Sequence, residues 1–402
     1  MNKLNSEDAS RMSLTNTHMQ YNPDILDDIP ARLAQESIAH AKQPQAAPSD
    51  INDIRQSTEF RGVSFSGYKK ADVRTQLINS MLKGKVEPAC YWAAELICAG
   101  HFGELWEIII HYMAKYIHLG NPKLAIYLEM RYESFRNNMI QGIQIAELDM
   151  RNDNKIRRLF GEIICTLTLS IKKPSIEAIK INRAEEYDVT QMTEKLKAPS
   201  MAYAEPIFQP KDPRELFIAL NELGFCLTTD QSNMLTACYW VEWINEFNAI
   251  CKKRKEPIRC VKRSKYPVEN KFQCDVIWLV WDTLLNSVER RKNLLLTKTM
   301  NALLRLFCVK YSTAACNKKR YLLYYAVGLL TERVNTNVEL VTNRDLLLTV
   351  TDKIDEVYKQ IKQNEQTPKT EYLFHGIEKR QALERSLKQM ELVGQIDNSR
   401  IG

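Results

Sequence analysis

Between positions 105 and 116 the apolar residues Leu105, Ile108, Ile109, Tyr112, Met113 and Tyr116 recur at i, i+3, i+4, i+7, i+8 and i+11. That spacing gathers side chains on one face of an α-helix. The two-residue period of a strand would scatter the same residues over both faces of a sheet. The pattern continues at about 123–139 and 152–170, then at 213–223, 233–251, 273–287, 293–312, 318–333 and 344–363. Gly120-Asn121-Pro122 is expected to stop one helix and start the next. Gly120 would take the left-handed C-cap conformation, and Pro122 would sit in the first turn that follows. Asn343 is placed to cap the helix after it. No strand is read; residues 60–65 could make a short β-extension at most. Only 13 of 402 residues are glycine, about half the usual share. Sandwiches and propellers need more turn residues than that, so the expected fold is all-α.

The apolar stretches are too short to span a bilayer. The longest, Tyr321 to Leu330, holds ten residues, against roughly 18 needed for a spanning helix. The first ten residues, MNKLNSEDAS, carry no apolar segment, so no secretory signal is expected. Ten cysteines sit mostly inside apolar helical stretches. They are expected as free thiols packing as small hydrophobes, not as a secreted disulfide framework.

Four regions are read along the chain. Residues 1–55, rich in Ser, Asn, Asp, Gln and Pro with a formal charge of −3, form an expected disordered arm. Residues 56–198 and 199–366 form two helical units. Residues 367–402 form a tail with an amphipathic helix that carries Ile377, Leu383, Leu387, Met390 and Val393.

The two units share an internal echo. Ala89-Cys90-Tyr91-Trp92 recurs as Ala237-Cys238-Tyr239-Trp240, 148 residues on, and Arg158-Leu159-Phe160 recurs as Arg305-Leu306-Phe307, 147 residues on. Upstream, 77–84 matches 217–224 in pattern. Collinear matches at nearly one offset point to a tandem duplication. The competing explanation is helix packing that selects similar faces twice.

Charge is polarised. Residues 251–333 hold 19 bases and 6 acids, or +13, while the whole chain is +7, so the remainder carries −6. The densest run, CKKRKEPIRCVKRSK at 251–265, supplies Lys252, Lys253, Arg254, Lys255, Arg259, Lys262, Arg263 and Lys265 against Glu256. Such a surface attracts phosphate backbones or an acidic protein. Its bland alternative is a solvated loop between helices. No helix-turn-helix, zinc-finger or RNA-recognition signature accompanies it, so base-specific reading is not expected.

Other chemistry is thin. His101, His111 and His118 lie near Cys98, but no CxxC or second ligand cluster completes a zinc site. Glu95 and Glu242 lie in apolar segments, where a carboxyl can serve as acid or base. More often such a group pairs with a neighbour. Phosphate-loop, nucleophile-elbow, HExxH and kinase motifs are lacking. No catalytic residue, metal or cofactor is therefore assigned. Trp92, Trp106, Trp240, Trp243, Trp278 and Trp281 fall at helical spacing and read as core anchors.

The segments EPACYWAAELICAGHFGELWEIIIHYMAKYIHLGNPKLAIYLE (87–129), DPRELFIALNE (212–222) and ACYWVEWINEF (237–247) resemble a protein family of nucleocytoplasmic large DNA viruses. The resemblance covers most of 60–335. That family has no established activity, and so no catalytic residue to carry over. The resemblance implies a viral protein made in an infected eukaryotic cell, located in host cytoplasm, nucleus or virion. It would act in virion structure or in viral gene expression.

Taken together, the residues predict a non-enzymatic interaction or structural protein whose second unit docks an acidic protein partner. The alternative is a nucleic-acid-binding accessory factor in viral transcription or replication. Partner identity and oligomeric state are left open by the sequence.

Overall fold

A computed structural model describes residues 48–141, 148–183, 194–228 and 230–366. The expected arm up to residue 47 and the expected tail helix lie outside the described residues.

The described chain is all-helical. Its α-helices are α1 (Lys70–Leu82), α2 (Val86–Cys98), α3 (Phe102–Tyr112), α4 (Leu124–Gln141), α5 (Asn154–Leu169) and α6 (Phe217–Cys226). They continue with α7 (Met234–Lys253), α8 (Ile277–Arg291), α9 (Leu294–Cys308), α10 (Arg320–Thr331), α11 (Arg344–Asp352) and α12 (Ile354–Lys362). Among the described residues there is no strand, only two isolated bridges, Val63 with Lys69 and His118 with Lys173. Asx caps set several starts. Asp153, Asn233, Asn293 and Asn343 each accept a backbone N–H from the first turn of α5, α7, α9 and α11.

Three expectations need correction. First, residues 48–55 belong to the folded body. Ile51 is 2% exposed, and the buried Arg157 guanidinium donates to the Ser49 carbonyl and hydroxyl. Second, α3 runs into a π-helical turn at Met113–Ile117, and the positive φ falls on His118 (47°), not on Gly120. Gly120 is needed for another reason: a Cβ there would sit 2.4 Å from the Ile171 carbonyl oxygen. Third, α11 and α12, expected with the second unit, pack on α5 and α2. Ile354 Cδ1 lies 3.0 Å from where a Cβ on Gly161 would stand, so that glycine permits the close approach.

The echo is only half repeated in the helices. Both ACYW segments begin three residues after a helix start, at Val86 and at Met234. The Arg-Leu-Phe pair does not correspond: Arg158 lies near the start of α5, Arg305 near the end of α9. Packing joins the two halves, with α4 against α9 and α10 against the π-turn.

Candidate docking site

The basic run begins at the end of α7. Arg254 is the C-cap, and Lys255 follows with φ 65°. The Lys255 N–H donates to the Lys252 carbonyl, and the Glu256 N–H to the Cys251 carbonyl. These two bonds make a Schellman turn with lysine where glycine is usual. Past the turn the chain is held again: the Val261 N–H donates to Asp212, and backbone bonds link Cys260 to Cys274 and Arg263 to Gln273. The charges therefore lie on an anchored segment.

The eight bases separate into two groups. Lys252, Lys253, Arg254, Lys255, Arg259 and Lys262 are exposed. None of these six forms an ion pair among the described residues. Arg263 behaves oppositely. It is 4% exposed and lies between two carboxylates, 2.6 Å from Asp212 and 3.0 Å from Asp282. It is a structural cation, closed to any partner. Lys265 is exposed but pairs with Asp282 at 2.6 Å. Burial lowers the Arg263 pKa, but its hydrogen bonds to both acids outweigh this and raise it overall. Asp212 shows the converse. Burial raises its pKa, while the Arg263 bonds bring it below the usual carboxylate value.

Two open grooves flank the run. One, about 440 Å³, is lined by Asn245, Asn248 and Lys252 of α7, by Asp275, and by Thr313 and Asn317. The other, about 400 Å³, has Lys262 and Lys265 on its wall, with Asp282 and Glu289 facing them. The second groove carries its own acids, so its cations are partly balanced. In the first, Asp275 is the single acidic lining residue, and it is engaged by the Tyr311 and Thr313 hydroxyls.

The remaining candidates serve the fold. Glu95 is fully buried and accepts bonds from Ser64 Oγ, Ser66 Oγ and the Ser66 N–H. Glu242 accepts the Tyr324 hydroxyl, and Arg320 lies 3.5 Å away; burial pushes its pKa up. Neither lines the grooves. The His101 ring bonds the Phe60 and Val63 carbonyls, and His118 is buried against Tyr325. Among the described residues no group of three or more His, Cys, Asp or Glu could hold a metal ion. All ten cysteines are free. Trp106, Trp240, Trp243, Trp278 and Trp281 are core residues, and Trp92 is half-buried. No helix among the described residues is long and apolar enough to cross a membrane.

Sequence reasoning could mark Lys318-Lys319-Arg320 as an extension of the basic face but did not place the cleft between α3 and α10. It holds about 60 Å³ and is lined by Trp106, Ile110 and Leu322 with Arg74, Lys310 and Lys319. Burial takes the Lys319 pKa down to about 8, and its ammonium donates to the Phe307 and Val309 carbonyls at the end of α9. The signal for it was Lys318-Lys319-Arg320 just ahead of an apolar helix.

No family model, no curated protein and no solved structure matches this chain.

Proposed function

We propose that the chain is a non-enzymatic helical docking protein that holds an acidic protein partner through the exposed bases of 252–262. The observation that carries this reading is the anchored presentation of six unpaired cations. The Schellman turn fixes one end of the segment, and the Arg263–Asp212 pair fixes the other. A solvated connector has no need of such anchors. The aromatic ring that directly follows the run in sequence favours a protein partner over nucleic acid. Tyr266 and Trp278 stack on each other at 4.5 Å inside the core, so they offer no base-stacking platform. The resemblance at 87–129 adds a setting, the infected eukaryotic cell, with virion components and gene-expression factors as the partner pool.

The test is affinity capture with the full chain and with a variant in which Lys252, Lys253, Arg254 and Lys255 are neutral. Duplex and single-stranded nucleic acid are titrated alongside. Loss of an acidic protein from the variant supports docking. A steep salt slope on either nucleic acid, abolished in the variant, supports the accessory-factor alternative.

A further inference from the structure

Asn245, Asn248 and Lys252 lie at i, i+3 and i+7 on one face of α7, and all three line the same groove. At 1.5 Å rise per residue the row is roughly 10 Å long. An extended peptide covers roughly the same distance in three residues. Asn317 and Thr313, from the short helical turn before α10, line the same groove. The groove therefore offers primary amides along its length and an ammonium at one end.

The amide of Asn248 is not committed to the fold. Its Oδ1 is covered by protein and has no hydrogen-bond partner among the described residues. A half-turn about χ2 exchanges the two ends of the amide without breaking a bond to that oxygen. Asn245 is barely more engaged: its Oδ1 lies 4.0 Å from the Cys316 thiol, a weak donor. A primary amide has a donor at one end and an acceptor at the other, so the uncovered end can pair with either polar group of a peptide unit. A phosphodiester backbone supplies acceptors only.

We propose that this groove binds an extended acidic peptide segment of the partner. Asn245 and Asn248 pair with its backbone amides, and Lys252 takes one of its carboxylates. The inference rests on the docking reading and gives it a chemistry of recognition beyond charge. Lys253, Arg254 and Lys255 follow Lys252 in the chain and are exposed, so they add positive charge around that end of the row. Asp275 also lines the groove. Its carboxylate accepts the Tyr311 and Thr313 hydroxyls at 2.8 and 2.7 Å, so an acid of the peptide is repelled from its immediate neighbourhood.

The test compares two polyanions of matched charge against the full chain: a short labelled oligo-aspartate peptide and linear inorganic polyphosphate. Both are measured by fluorescence anisotropy, the second by competition. The peptide is expected to bind more tightly, because only it has amides. Asn245→Ala and Asn248→Ala are each expected to weaken the peptide about fivefold, the size of one neutral hydrogen bond, and to leave polyphosphate unchanged. Asn248→Asp, which keeps the shape and adds a repelling charge, should weaken it further. Thermal unfolding of each variant at the wild-type midpoint shows that the fold is retained. Equal affinity for the two polyanions, unmoved by the asparagine variants, overturns the groove and leaves charge-driven docking standing. Binding of neither polyanion, or binding that survives neutralisation of Lys253, Arg254 and Lys255, overturns both.

Discussion

Arg263 grips Asp212 with both terminal guanidinium nitrogens, Nη1 at 2.9 Å from Oδ1 and Nη2 at 2.6 Å from Oδ2, with side chains 3% and 0% exposed. Its Nε reaches Asp282, which also accepts the Tyr266 hydroxyl. One cation thus holds the connector before α6, the basic segment and α8 together. Arg263→Met should lower the unfolding free energy by about 3–5 kcal/mol, because Asp212 stays buried without its cation and Asp282 keeps only Lys265. Urea unfolding checks this, and a loss under about 1 kcal/mol would place the pair among the negligible surface bridges. Arg263→Lys should recover only part of the loss, since an ammonium cannot reproduce the two-pronged contact.

The same pair gives an acid limb. Folded Asp212 has a pKa below its unfolded value. Its contribution is complete above the unfolded pKa and is lost as pH falls through the folded one. Asp212→Asn should therefore be less stable than wild type at neutral pH, and the gap should close at low pH. A gap that stays constant on acidification would show that the hydrogen bonds matter and the charge does not.

The exposed bases should behave differently from Arg263 in every respect. Neutralising Lys253 and Arg254 should change stability by no more than about 0.5 kcal/mol each, as for other exposed side chains. Lys255 sits at φ 65°, where glycine carries no steric penalty. Lys255→Gly should then remove a charge while leaving stability equal or raised by up to about 1 kcal/mol. Chemical denaturation of the three variants, beside their binding curves, separates stability from recognition. A large loss of stability at any of the three would mean that the run is structural and would undercut the docking reading.

How the sequence encodes these features differs from one to the next. Helices such as α3, α7 and α10 are written in local spacing, and the Asn343 cap is visible three residues ahead of Leu346, whose N–H it accepts. The fate of Arg263 is not local. It is one of eight bases in fifteen residues, and only the approach of Asp212 and Asp282 sets it apart. Asp282 gives a partial sign, an acid in the first turns of the apolar α8, where it requires a cation. Packing of α11 and α12 on the first-half helices is likewise a long-range choice, which helical periodicity does not record. The groove beside α7 was hidden because asparagine in a helix carries no motif, and the residues that line it come from segments distant in sequence.

Gly120 illustrates the same limit in a form that can be tested. The sequence suggested a left-handed cap, which a residue such as Asn would tolerate. In the fold the constraint is space: backbone oxygens of Ile171 and Ile117 lie 2.4 and 2.9 Å from a Cβ at this position. Gly120→Asn and Gly120→Ala should therefore be about equally damaging, by more than about 2 kcal/mol, since backbone has to move in both. Thermal unfolding of the two variants decides the matter; a well-tolerated Asn with a damaging Ala would restore the cap explanation.

His118 lies where the two halves of the chain meet. It is 2% exposed, its ring centroid is 5.0 Å from that of Tyr325, and its Cε1 is 2.9 Å from where a Cβ on Gly328 would stand. Burial pushes its pKa down from 6.5 to about 4. A bond involving the Tyr324 backbone opposes this, and the charge of Lys173 adds to it. The unfolded chain therefore binds a proton between pH 6.5 and about 4 that the folded chain refuses. Stability falls as pH drops through that window, by about 3 kcal/mol at its lower end for this one group. His111, also held at about 4, acts in the same direction but is half-buried and contributes less. Paired carboxylates such as Asp212 act mainly below the window, and the raised carboxyl of Glu242 acts in the opposite direction but is common to wild type and variant. His118→Asn keeps a residue type that accepts a positive φ and removes the titration. Urea midpoints measured from pH 7 down to pH 4.5 should slope less in this variant than in wild type. Parallel slopes would mean that the buried imidazole accepts its proton inside the fold, and that the junction of the two halves opens to water more readily than its packing implies.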